Sequence, residues 1–174
     1  TNTNPQISPA PNAAATPIER CCFVMASFCS KRTTVKSIKS FRERNMTIKL
    51  VGIVGAGTMG NGIAQACAVA GVDALMLDVN AAALERGVAT ISGSLDRLLK
   101  KEKITPEQKA AAMARVKTTQ TLADLAACDY VIEAATENEG LKIKILKDLD
   151  AALKPETIIA TNTSSISITQ LAAA

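Results

Sequence analysis

A chain of 174 residues, 48% hydrophobic and 21% charged, is long enough for one domain with a full core and has an ordinary globular composition. Its net charge of +4 lies entirely in the first 45 residues, where seven Lys/Arg face only Glu19 and Glu43, while residues 46–174 carry thirteen against fourteen. A near-neutral body offers no basic footprint for nucleic acid, no apolar run approaches the ~18 residues of a membrane span, and the absence of histidine removes the commonest metal ligand and general base.

Residues 1–18 are rich in Pro, Asn, Thr and Ala without a periodic apolar face, a disordered composition. Residues 19–45 are basic and mixed, and fit a secretory signal poorly because no basic residue precedes Arg20. A mitochondrial presequence starting at Met25 is one reading; a natural start at Met46, with an upstream segment outside the functional protein, is the favoured one. Two parts follow: a disordered basic leader over 1–45 and a nucleotide-binding domain over 46–174. Cys67 and Cys128 lie in apolar runs, lack metal-ligand spacing and read as small core residues of a reducing compartment. That points to the cytoplasm, or to the mitochondrial matrix if residues 25–45 are a presequence.

From Lys49 the pattern alternates. Lys49–Val54 is a buried strand, an apolar run ending at glycine. A helix is predicted from Thr58 to Ala70, closed by Gly71, then a strand over Ala74–Leu77. Asn80 caps a long helix reaching about Lys103, with Leu84, Val88, Ile91, Leu95 and Leu98 at helical spacing. Thr105-Pro106-Glu107-Gln108 is a capping box with proline at the first helical position. Val116–Thr118 and Tyr130–Glu133 are strands with a short helix between them, Asn138–Leu153 a helix and Ile158–Thr161 a strand. Such alternation means a doubly wound parallel α/β sheet.

Gly55-Ala56-Gly57-Thr58-Met59-Gly60 is G-x-G-x-x-G, weak alone but here placed directly after a strand and opening a helix. Asp78 ends the next strand 23 positions after Gly55. Gly55 permits the turn, Gly57 lets a pyrophosphate approach the N–H groups at the positive helix end, and Gly60 lets helix and sheet pack closely. Asp78 can accept hydrogen bonds from the adenosine ribose. Its charge, with only Val79 and Asn80 following, disfavours a 2′-phosphate, so NAD is expected over NADP, with FAD formally open. The fold class is thus α/β, a Rossmann-type doubly wound sheet, expected to be incomplete at its C-terminal end.

The run VGIVGAGTMGNGIAQACAVAG, with DYVIEAATEN (Asp129–Asn138), LKIKILKDLD (Leu141–Asp150) and IIATNTSSISIT (Ile158–Thr169), resembles the opening of short-chain L-3-hydroxyacyl-CoA dehydrogenases, including bacterial 3-hydroxybutyryl-CoA dehydrogenases. The resemblance covers Met46 to Ala174. It implies interconversion of 3-hydroxyacyl-CoA and 3-ketoacyl-CoA with hydride transfer to or from NAD, in fatty acid or butanoate metabolism. It also implies a histidine–glutamate pair as general base and orienting partner beyond the NTSS motif, and a helical domain that completes the site and forms a homodimer. Neither lies within these residues, so the chain alone is expected to bind NAD without turnover.

Carried over by position, Glu137 and Lys142 would line the nicotinamide end of the cofactor; their bland alternative is the first turn of a surface helix, with Lys142 solvated. Glu139-Gly140 makes that helix start irregular. Ser164 matches the serine that contacts substrate and cofactor, and takes the catalytic assignment; the alternative is an N-cap cluster with Ser167 free to cap. Ser94 and Lys101 match residues that hold the coenzyme A portion of an acyl-CoA and lie on one helix face, two turns apart, against the alternative that lysines simply favour a helix C-terminus. Competing functions are another β-hydroxyacid or sugar-nucleotide dehydrogenase, and a nucleotide-binding module without turnover.

Overall fold

Four short apolar runs and a more polar edge strand, Val116–Thr119, pair into a sheet whose faces are buried by the flanking helices. The computed structural model describes residues 47–173; the reading of residues 1–45 as a leader lies outside them. The strands are β1 (Leu50–Val54), β2 (Asp73–Leu77), β3 (Val116–Thr119), β4 (Tyr130–Glu133) and β5 (Ile158–Thr161). The helices are α1 (Thr58–Val69), α2 (Ala81–Lys100), α3 (Pro106–Arg115), α4 (Glu139–Ala152) and α5 (Ile168–Ala173), with a 3-10 helix over Leu122–Ala127. All pairings are parallel and the order is β3-β2-β1-β4-β5. The order reverses between β1 and β4, which opens a crevice at their carboxyl ends. The doubly wound expectation holds.

Two clusters make the core, one on each face. Ile53, Ala64, Ala68, Met76, Leu84, Ile91 and Leu95 join the sheet to α1 and α2. Leu125, Cys128, Val131 and Leu149 join it to the 3-10 helix and α4. The α2 positions foreseen from periodicity face inward, Val88 and Leu98 only partly. Burial pushes the Cys128 thiol up to about 11, with the Asp129 charge adding to it, so it stays neutral and inert.

Capping chemistry decides where the helices stop. After α1, Val72 N donates to Cys67 O at 2.9 Å and Gly71 N to Ala68 O at 3.1 Å, with Gly71 at φ 87. This is a Schellman turn with glycine at the left-handed position. The expected end of α2 at Lys103 is corrected to Lys100. There the non-glycine Glu102 takes φ 53, and Lys103 N donates back to Leu98 O at 3.0 Å. A left-handed residue ends a helix whatever its identity, and no glycine announces this one. The Thr105–Gln108 capping box is present in both directions.

Asp129 ties the start of β1 to β4: its Oδ2 accepts from Lys49 N at 2.8 Å and Leu50 N at 3.0 Å. The Lys49 amide is the largest cause; burial opposes it, and the Leu50 amide with the Lys154 and Lys49 charges adds to the lowering, so the carboxyl lies below the usual range. A folded value below the unfolded ~3.9 adds stability above about pH 4, lost as pH falls through the folded value. Asp129→Asn should therefore cost about 1 kcal/mol at pH 7, and urea unfolding should show the gap to wild type closing below about pH 4. An equal gap at pH 7 and pH 3 would mean that the carboxylate's charge contributes nothing.

Candidate functional site

The glycine loop runs off the carboxyl end of β1 into α1, and each glycine has a distinct constraint. Gly55 sits at φ +103, where a Cβ would lie 2.8 Å from Ala134 O, so the turn also sets the approach of the loop after β4. A Cβ on Gly60 would lie 1.8 Å from Gly55 O. Gly57 differs: it is exposed, and a Cβ there meets nothing within 4 Å.

The open space beside Gly57 lies in front of the α1 N-terminus. Asn80, Thr105 and Asn138 cap α2, α3 and α4 with their side chains, whereas α1 has no side-chain cap and no acidic residue in its first turn. Its first N–H groups point into a space that only a glycine leaves clear, the arrangement an anionic pyrophosphate needs. Ala56 is buried under Gly87 of α2, and exposed Thr58 and Met59 start the helix. The loop fits a dinucleotide.

Asp78 stands at the end of β2, facing the loop. Its Oδ2 accepts from Ala56 N and its Oδ1 from Asn80 N, both at 2.9 Å. A carboxylate has about four acceptor sites, so room remains for two ribose hydroxyls. The residue thus also tethers the loop, a role that sequence reasoning missed. Val79, 90% exposed, follows it with no basic neighbour in sequence.

On the other side of the crevice lies a cluster that was only half foreseen. Lys142 is not the solvated residue of the bland reading: it is 1% exposed. Its Nζ donates to both oxygens of Glu133, each at 2.9 Å, and Glu133, at the end of β4, is 0% exposed. Thr161 Oγ1 donates to Glu133 Oε2 at 2.6 Å and Ala135 N to Oε1 at 2.8 Å. Glu137, half-exposed at 46%, lies 3.6 Å from the same Nζ and accepts from Thr163 Oγ1 at 3.0 Å. It precedes the helix rather than lying in its first turn, because Asn138 is the cap and accepts from Leu141 N at 2.9 Å. The Glu139-Gly140 start proves regular.

Ser164 is exposed in the loop after β5. The local capping falls to its neighbour: Thr163 Oγ1 accepts from Ile166 N at 3.2 Å, which leaves the Ser164 hydroxyl outside the turn's own hydrogen bonds. Glu133, Thr161 and Thr163 were not identified from the sequence. A signal existed: Lys142, Ile145 and Leu149 repeat at helical spacing on the inward side of α4, and Glu133 ends a buried strand.

Ser94 and Lys101 are not gathered with this site. Gly87 marks where α2 passes the loop, and both residues lie further along, about 20 and 30 Å from the helix start. Lys101 is exposed and is the C-cap, just beyond the last helical turn. A separate open groove of about 730 Å³ between α2 and β3 is lined by Leu84, Val88, Met113 and Gln120, among others, and holds none of the residues above.

The sequence matches the family model described as 3-hydroxyacyl-CoA dehydrogenase, NAD binding domain, over residues 50–174. It is 54% identical over 127 residues to a 3-hydroxybutyryl-CoA dehydrogenase of Bradyrhizobium diazoefficiens, covering 73% of this chain and 43% of that protein. A fatty acid oxidation complex subunit alpha of Psychrobacter sp. is 34% identical over 145 residues, 83% of this chain and 20% of that one. The crystal structure of an (S)-3-hydroxybutyryl-CoA dehydrogenase from Ralstonia eutropha superimposes with a TM-score of 0.72 at 61% identity, covering 73% of this chain and 45% of that one. The chain spans less than half the length of these relatives.

Proposed function

Since this chain belongs to the 3-hydroxyacyl-CoA dehydrogenase NAD-binding domain family, we propose that it is the cofactor-binding portion of an enzyme that interconverts 3-hydroxyacyl-CoA and 3-ketoacyl-CoA, in fatty acid or butanoate metabolism. The observation that carries this is the uncapped N-terminus of α1 behind an open Gly57, faced by Asp78 at the end of β2. We assign residues 46–174 to this domain and residues 1–45 to a leader. The full-length protein is read as a cytoplasmic homodimer, joined through a helical domain. Among the described residues no helix is long and apolar enough to cross a membrane.

NAD, when bound, supplies the hydride acceptor or donor. The N–H groups of Thr58, Met59 and Gly60 would receive the pyrophosphate, and Asp78 the adenosine ribose. The two halves of a dinucleotide lie on either side of the switch point, so the nicotinamide end falls over β4 and β5, beside Glu137, Lys142 and Ser164. The Ser164 hydroxyl would then orient the substrate oxygen at the carboxyl edge of the sheet. Ser94 and Lys101, placed along α2, suit the distant phosphates of a ligand as long as an acyl-CoA. The 174 residues include no histidine, so taking the hydroxyl proton is not assigned to this chain.

The test is cofactor choice. Asp78→Asn removes the charge that repels a 2′-phosphate and puts a donor where Ala56 N or Asn80 N needs an acceptor. NAD binding should weaken by about 1–3 kcal/mol, while NADP gains relative to NAD. Titrating both cofactors against wild type and variant decides it. Wild type binding NADP as tightly as NAD would defeat the assignment.

A further inference from the structure

The Glu133–Lys142 pair is costly to bury, and nothing proposed so far uses Glu133. Two charges taken out of water must be matched by partners, and Glu133 is matched fully: two contacts from Lys142, one from Thr161 and one from the Ala135 amide. Lys142 is then held in place, and its remaining reach is toward Glu137 Oε2 at 3.6 Å, which Thr163 steadies from the far side. The chain of contacts therefore ends on a carboxylate that is 46% exposed at the mouth of the crevice. Counted as ionised groups, Glu133, Lys142 and Glu137 sum to one negative charge, and the exposed end of the cluster carries it.

We infer that Glu133 is a positioning residue which, through Lys142, fixes the place and the charge of Glu137, so that the crevice favours the oxidised cofactor with its cationic nicotinamide ring over the neutral reduced ring. This rests on the proposed function, since it needs the nicotinamide end to lie over β4 and β5. Thr163 carries the effect further: its bond to Glu137 also anchors the loop that presents Ser164, so one buried carboxylate organises both sides of that end.

The test is binding, not turnover. The chain contains no tryptophan, so NADH emission can be followed directly and NAD+ measured by competition, alongside thermal melting. Glu133→Gln takes the cluster from one negative charge to zero while keeping its shape. NAD+ affinity should fall about tenfold and NADH affinity only about twofold, a shift of about fivefold in their ratio. Adding Lys142→Met to Glu133→Gln restores one negative charge but releases Glu137, so the ratio should return to wild type while both forms bind about tenfold more weakly. A purely structural pair would weaken both forms alike in Glu133→Gln, in step with melting. That result, or unchanged affinities in the double variant, overturns the inference. Should Glu133→Gln fail to fold, the double variant decides by its affinities alone. Wild type binding neither form would instead overturn the proposed function.

Discussion

Gly60→Ala should lower the melting temperature on the order of 10 °C or abolish folding, whereas Gly57→Ala should melt like wild type and lose NAD affinity by about tenfold or more. The two substitutions add the same methyl group, three residues apart. At Gly60 the new Cβ would sit 1.8 Å from the Gly55 carbonyl oxygen. That oxygen cannot swing away: Gly55 is held at φ +103 and its amide donates to Leu77 O at 2.7 Å. Relief requires α1 to lift off the sheet, stripping Ala64, Cys67 and Ala68 from the core they share with Ile53. Overpacking against backbone has no soft neighbour to yield, so a cost of about 3 kcal/mol or more is expected. At Gly57 the backbone is extended, at φ -69 and ψ -171, which alanine adopts freely, and its Cβ meets nothing. The methyl would instead fill the approach to the α1 N–H groups. Melting and NADH titration of both variants test this together. An unaffected Gly60→Ala would contradict the packing, and tight NAD binding by Gly57→Ala would contradict the phosphate site.

Lys142→Met should destabilise the protein by about 3–5 kcal/mol, the cost of leaving a buried charge unpaired. Methionine keeps an unbranched apolar stem, one atom shorter than lysine, but leaves the Glu133 carboxylate at 0% exposure without a cation. Thr161 and the Ala135 amide remain as donors; neither carries charge. The companion double variant Glu133→Gln/Lys142→Met removes both charges, and its glutamine can still accept from Ala135 N and donate to Thr161. It should recover most of the loss. Denaturant unfolding of the wild type, the single variant and the double variant measures this. A single variant as stable as wild type would mean that the pair is not buried in solution.

The alternation of strands and helices was legible because both periods are written in the apolar residues, and the glycine loop because three glycines and an acid recur at spacings that only one ligand geometry explains. Element ends given from the sequence fall within one residue of the observed ones, with one exception. The exception, the end of α2, failed because its terminating residue is Glu102, which takes a left-handed conformation that composition does not advertise. Lys142 was read by position from a family motif and, on bare residues, as solvated. Even between Leu141 and Ile143, a lysine reads as surface until its partner is known.

Patterning along the chain was enough to specify the parallel fold, the glycine loop that opens a helix and the place of Asp78 after the second strand, since all three depend on periodicity or on residues near one another. The pairing of Glu133 with Lys142, and the hold of Asp78 on the Ala56 amide, came from packing across the sheet. Those contacts join β4 to α4 and β5, and β2 to the loop after β1. Whether a charged side chain is buried depends on what the sheet brings beside it, and a local pattern carries no record of a partner supplied by another strand.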